Sequence, residues 1–162
     1  MAESAIKRVN DDRIDELEAI MVNNMPPVEL PLKHIFCKGM YLREISCPAG
    51  TLITTKIHKQ EHPFTVSKGK CLVCIDGKDW VEISAPYTGI TKVGTRRVVF
   101  VVEDCVWTTY HRYHTIKGSE NELTEEEKQK IVDRIESRII EKHHNALMYR
   151  RTCYEKSIPE QN

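Results

Sequence analysis

The sequence has no excess of either charge: 24 Lys and Arg stand against 24 Asp and Glu in 162 residues. That balance excludes broad binding to a nucleic-acid polymer or an anionic membrane, both of which draw on a basic excess. It also lacks any apolar run near the roughly 20 residues a membrane helix needs, and no N-terminal apolar segment has the make-up of a secretory signal. A soluble protein of a reducing, cytoplasmic compartment is expected. Internal repeats and low-complexity linkers are missing too, so the length predicts one domain with a real core.

Cysteine is present but without a framework. Cys37, Cys47, Cys71, Cys74, Cys105 and Cys153 follow no disulfide spacing, and free thiols are expected. Cys71 and Cys74 have the spacing of a metal knuckle, but they lie in a run of strand composition. Positions three apart on a strand point to opposite faces, and no second such pair exists to complete four ligands. Buried structural thiols are the expectation.

Three segments follow from periodicity. Residues 1–29 form a helical arm: Asn10 or Asp11 can cap it, and Ile14, Leu17, Ile20 and Met21 give an apolar stripe. Pro26 and Pro27 end it. From residue 30 to 117 the period is two. Short β-rich runs at 35–36, 40–45, 51–57, 64–66, 71–75, 80–83, 89–91, 98–102 and 106–110 are separated by turn residues. Among the turns, Asp76-Gly77 is a type I′ hairpin signal and Lys68-Gly69 a second reversal. Many short strands without intervening helices predict a mainly β fold, an antiparallel barrel or double-sheet jelly roll. Residues 118–162 begin with the capping-box pattern Thr124-Glu-Glu-Glu127. A long amphipathic helix is expected through Lys142 or beyond, with Ile131, Ile135, Ile139, Val132 and Ile140 on its apolar face and a fading tail after it. The two apolar stripes and an exposed sheet edge predict a homodimer.

Residues 32–114 carry two spaced motifs. His58, three residues, position 62, six residues and Gly69 form the first, led in by Pro48-Ala-Gly50 and closed by Val66-Ser-Lys-Gly69. Lys92-Val-Gly94-Thr-Arg-Arg97 forms the second. This pattern resembles the cupin family, RmlC-like jelly rolls, and in particular small phage-encoded cupin-like proteins with a degenerate metal motif. A phage origin would place the protein in the host cytoplasm. The resemblance implies a single cupin-type antiparallel β-barrel that holds a metal or small ligand between its sheets. In the family two His, a Glu and a last His bind the metal; here those positions hold Lys56, His58, His62 and Arg97. Only His58 matches, and two positions carry fixed positive charge, which repels a divalent cation.

Lys56 and His58 are two apart on one strand and share a face. With His62 and Arg97 they would assemble two cations and two imidazoles, a set suited to a small anion such as a nucleotide, sugar phosphate or carboxylate. Either an acid such as Glu61 or Glu103 or a bound anion is expected to offset the charge. Each residue also has a plainer reading. Lys56 can bend to the mouth, Arg97 can form a structural ion pair, and Trp80, Trp107 and Tyr110 can be core or pocket wall. His111 and His114 diverge at a strand end and read as surface residues, and His143-His144 as a solvated helix face. His58 and His62 can instead be a reduced metal site for Fe, Mn, Ni or Zn, completed by His111, a carboxylate or water.

The expected ligand set is therefore Lys56, His58, His62, Arg97 and Trp107, with His58 and His62 as the metal candidates and a small anionic molecule as partner. Three functions remain open: an anion-binding, ligand-sequestering protein; a cupin enzyme, either a metal-dependent oxygenase or isomerase or a metal-free sugar-nucleotide isomerase; and a structural virion protein with a vestigial pocket.

Overall fold

The computed structural model of the protein describes residues 11–75, 78–114, 123–140 and 148–151. Two long antiparallel strands carry the architecture, β5 (His62–Ile75) and β8 (Arg97–Arg112), paired along nearly their whole length. On the free edge of β8, β2 (Met40–Cys47) takes the second half and β3 (Thr51–Thr54) the first. On the free edge of β5, β7 (Tyr87–Thr91) takes the first half and β6 (Trp80–Ser84) the second. β1 (Leu32–Cys37) extends the sheet beyond β2, and β10 (Met148–Arg151) extends it beyond β3. One half thus runs β1-β2-β8-β5-β7 and the other β10-β3-β8-β5-β6, sharing both long strands. Among the described residues no ladder joins the outer edges, so the sheet is a bent, open double layer and not a closed barrel.

The sheet bends where both long strands change register. The β5–β8 ladder shifts between Val66 and Lys68, again to Lys70, and again to Cys71. Buried positions on β5 accordingly switch from 62, 64 and 66 to 71 and 73, while Val102, Glu103 and Asp104 of β8 turn outward. Gly69 sits at this bend with φ +86°, and a Cβ there would lie 2.2 Å from the Asp104 carbonyl oxygen. The reversal expected at Lys68-Gly69 is therefore a bend inside one continuous strand, because the bulges absorb the extra residues without ending the ladder. Runs 98–102 and 106–110 merge in the same way. A straight strand would put the ends of β8 roughly 50 Å apart at about 3.3 Å per residue. Instead the Arg97 guanidinium lies 5.2 Å from the centre of the Phe64 ring, and Phe64 pairs with Thr109 near the other end. The two halves face each other.

Their facing surfaces form one core, with Cys47, Phe64 and Val66 from one half and Ile53, Val73, Val99 and Val101 from the other. The helix α1 (Asp11–Asn24) covers the outer face of the β3–β8–β5 half, packing Ile14 and Met21 on Leu52, Cys74 and Val98. Ile20, expected on that stripe, is 53% exposed, since helical spacing from Ile14 through Leu17 to Met21 turns it outward. Buried Arg96 ties α1 down through Asp15 at 2.7 Å and Glu18 at 2.8 Å. The second helix, α2 (Glu125–Glu136), opens with the expected capping box at Thr124 and packs Ile131 and Ile135 on Tyr41 and Tyr113. The buried part of each stripe thus packs on the chain's own sheets.

Other expectations shift. The helix expected through Lys142 ends at Glu136, and Ile139–Ile140 form β9, paired with β4 (Ile57–His58). An extended partner strand wins there over continued helical periodicity. The tail contributes β10, so the sheet is not confined to residues 30–117. Trp80, read as core or pocket wall, is 52% exposed on edge strand β6. The Asn10 cap, the Asp76-Gly77 turn, His143-His144 and Cys153 lie outside the described residues.

The close approach at the bend makes Gly69→Ala a test of the fold. Steric conflict and left-handed backbone together should cost about 3 kcal/mol, lowering the thermal midpoint by roughly 6–12 °C for a chain of this size. An unchanged midpoint in circular dichroism melting would contradict the Gly69–Asp104 contact.

Candidate functional site

Rows of inward side chains cross the β2–β8–β5–β7 face in register. Tyr41 lies opposite His111, and His62 opposite Thr91. One row in, Arg43 meets Thr109, Thr109 meets Phe64 and Phe64 meets Gly89. Further in come Ile45 with Trp107, then Cys47 with Cys105. Gly89 has no side chain because the Phe64 ring needs its place: a Cβ there would be 2.8 Å from that ring. Phe64 then stacks on Trp107 at 4.7 Å and an interplanar angle of 12°. The opposite half contributes Ile53, Thr55, Cys71, Arg97, Val99 and Val101. Together they line a cavity of about 110 Å3.

Three histidines separate this cavity from an outer cleft of about 510 Å3 whose walls include Gln60, Ile90, Tyr110 and Arg138. His58, His62 and His111 line both spaces. Their ring centres are 4.6 Å (His58–His62), 5.6 Å (His58–His111) and 4.6 Å (His62–His111) apart. One nitrogen from each lies within 4.8 Å of the other two. The backbone pins this end: Gly94 N–H donates to the His58 carbonyl at 3.1 Å, and Lys59 N–H to the Arg138 carbonyl at 2.7 Å.

Burial keeps the imidazoles neutral. It holds His58 down to about 3, helped by repulsion from His62 and Arg43. The same burial, with His62 and His58 as neighbours, holds His111 to about 3. His62 is lowered by burial and by Arg97, against a 3.2 Å contact of its Nδ1 with the Gln60 carbonyl. His111, expected at the surface, is 6% exposed. The alternation rule held, since His114 is exposed, but the ladder to Tyr41 turns His111 inward.

All five expected ligand residues line the cavity. Lys56 and Arg97 stay out of the imidazole cluster, however. Lys56 Nζ reaches Glu136 Oε2 at 3.2 Å, and Arg43 donates a short hydrogen bond to Glu136 Oε1. Arg97 lies over Phe64, its backbone N–H donating to Thr55 Oγ1 at 2.9 Å. The acid offsetting the cations is Glu136, from the end of α2. Glu61 instead pairs with exposed Lys92, and Glu103 faces outward at the bend. Burial raises the Glu136 carboxyl, but the Arg43 hydrogen bond and the charges of Arg43 and Lys56 outweigh it and leave it lowered.

The residues fit a transition metal. A metal–imidazole bond of about 2.0–2.1 Å sets ligand nitrogens roughly 3 Å apart, within small ring rotations of the observed spacing. The three donors are neutral, as ligands must be, and space lies on both sides of them. Repulsion by cations is reduced because Glu136 spans two of the three. Pattern alone did not find Arg43 or Glu136, and gave His111 only as a possible completing ligand.

The cavity floor is apolar and holds Cys47, Cys71 and Cys105, all free. Burial, then the neighbouring Cys105, pushes the Cys47 thiol up to about 12, and contact with Cys105 raises Cys71. Cys74 lies on the other face, under α1, donating to the Lys78 carbonyl at 2.8 Å. The pair diverges as strand alternation requires.

No protein-family model matches the chain, and no curated protein matches it. Solved structures with partial likeness include an RmlC-like cupin family protein with a double-stranded β-helix fold from Methanocaldococcus jannaschii. Its identity is 7% and its TM-score 0.44, covering 53% of this chain and 82% of that one. A predicted oxalate decarboxylase from Thermotoga maritima has 14% identity and a TM-score of 0.44, over 56% of this chain and 96% of that one. The Cnp3 cupin domain of Schizosaccharomyces pombe has 12% identity and a TM-score of 0.44, over 57% of this chain and 72% of that one. Likeness this low transfers no residue, ligand or chemistry.

The buried imidazoles make stability fall with acid. Their folded values lie below the unfolded value of about 6.5, so unfolding takes up protons once pH drops below it. In metal-free protein, His58 and His111 should each remove up to about 1.4 kcal/mol of stability per pH unit from about pH 6.5 toward 4. Urea unfolding across that range should show a markedly flatter slope in the His58→Gln/His111→Gln double variant. An unaltered slope would mean the rings are not buried neutral.

Proposed function

We propose that this chain is a cupin-type protein that holds a divalent transition-metal ion on His58, His62 and His111 and binds a small carboxylate beside it. The observation that carries this reading is the convergence of three neutral imidazoles, two of them buried and His58 partly so, between two adjoining spaces. The cupin element rests on the chain's own features. Two half-sheets share two long strands, and Gly50, Gly69 and Gly94 of the spaced motifs all have positive φ.

Cavity size favours a small anion. Pockets for drug-sized ligands run to roughly 300–1,000 Å3, so the inner space of about 110 Å3 suits a carboxylate of a few heavy atoms, while the cleft of about 510 Å3 beyond the histidines leaves room for a longer one. Arg43 and Arg97 supply the positive field that draws the anion inward, and the apolar floor keeps water from its far side. Bound there, the metal would supply Lewis acidity, and redox chemistry if it were iron or manganese. This favours a metal-dependent oxygenase or isomerase over a sequestering protein. The second reading is a metal-free anion receptor, favoured by the three cations Arg43, Lys56 and Arg97 at one cavity.

Metal analysis of protein purified without an affinity tag separates the two. Near-stoichiometric iron, manganese, nickel or zinc is expected in the wild type, with at least about a tenfold loss of affinity in His111→Ala and none in Cys74→Ser. A wild type that takes up none of these ions, yet still binds small anions, would replace this reading with the receptor.

A further inference from the structure

Arg43 is built into the sheet, and its partner comes from elsewhere. Its Nε donates to the Tyr41 hydroxyl at 3.1 Å, and that hydroxyl meets His34 Nδ1 at 2.5 Å. Tyr41 is fully buried, between the His34, Phe36 and His111 rings. The Nε side of the guanidinium is therefore held from β1 and β2. The carboxylate it binds sits on the last residue of α2, half-exposed, with one oxygen on Arg43 and the other on Lys56.

We infer that Arg43 and Lys56 form a carboxylate-binding subsite, presently filled by the chain's own Glu136, so that an incoming small carboxylate displaces Glu136. The inference rests on the proposed function only in placing the ligand in this cavity, which both cations line. The exchange is like for like. Two cations and one carboxylate remain two cations and one carboxylate, and no unpaired charge is left buried. Glu136 loses least by leaving, because it sits at a helix end and can return to water. Arg43 pairs with Thr109 in the row next to the Tyr41–His111 pair, so an oxygen of the visitor at Arg43 lies near the imidazole end of the cavity.

Displacement has a structural consequence. The segment after α2 is tied to the mouth by the β9–β4 ladder, by Lys59 N–H on the Arg138 carbonyl, and by Arg138 Nη1 on the Arg112 carbonyl at 2.7 Å. Glu136 is the side-chain tie at the start of that segment. Its release loosens residues 136–140, which run alongside the strand that carries His58. Carboxylate binding is thus coupled to opening of this strap.

Acetate titrated into chelator-treated, metal-free full-length protein tests the inference by NMR, so failure of the metal reading does not affect the outcome. Glu136→Gln keeps the side chain's size and removes the competing charge. It should bind acetate about tenfold more tightly than wild type, and Arg43→Ala should lose the binding. In wild-type protein, which needs no substitution to fold, saturating acetate should speed hydrogen exchange across residues 136–140. Equal or weaker acetate binding in Glu136→Gln, or unchanged exchange at saturation, would overturn it. Inorganic phosphate binding as well as acetate in wild type would overturn the carboxylate assignment.

Discussion

The structure depends on one backbone contact, the approach of Gly69 to the Asp104 carbonyl. It lets two long paired strands bend together without separating. Each half of β5 and β8 then serves a different sheet face, and the faces close on each other. Without the bend, Arg97 and His111 would lie at opposite ends of a straight strand. With it they line one cavity, alongside His62 from the start of β5. The site is a product of sheet curvature before it is a product of side chains.

Electrostatics then sort the groups that curvature brings together. Six cation or imidazole groups lining one small space would repel one another if all were charged. Burial resolves this by leaving the imidazoles neutral, while Glu136 spans Arg43 and Lys56. The same burial that would be a liability for charged histidines makes their lone pairs available to a metal. The cations stand aside as a field for an anion. The proposed metal and the proposed carboxylate would therefore make complementary use of one cavity.

Much of this was legible in the chain. The β-rich runs, the α1 stripe and the Thr124 capping box are local patterns, and local patterns survive folding. The motif spacing brought Lys56, His58, His62, Arg97 and Trp107 to one cavity. What was not legible depends on register and on distant segments. His111 and His114 were correctly read as diverging, but which of them turns inward is fixed by the ladder that pairs His111 with Tyr41. Arg43 alternates on β2 like any exposed charge until that ladder places it beside Thr109. Glu136 looked like part of a helix expected to run on. The helix stops because Ile139–Ile140 pair with Ile57–His58, a contact across about eighty residues that no local window contains. Gly69 read as a reversal because a left-handed glycine marks turns and bulges alike.

The most direct test of the central claim is an anomalous-diffraction map of crystals saturated with manganese or zinc. A peak bounded by the His58, His62 and His111 nitrogens is expected, with Lys56 and Arg97 outside its coordination sphere. Saturated crystals with no density at the three histidines, or with the metal on the cysteine floor instead, would contradict it.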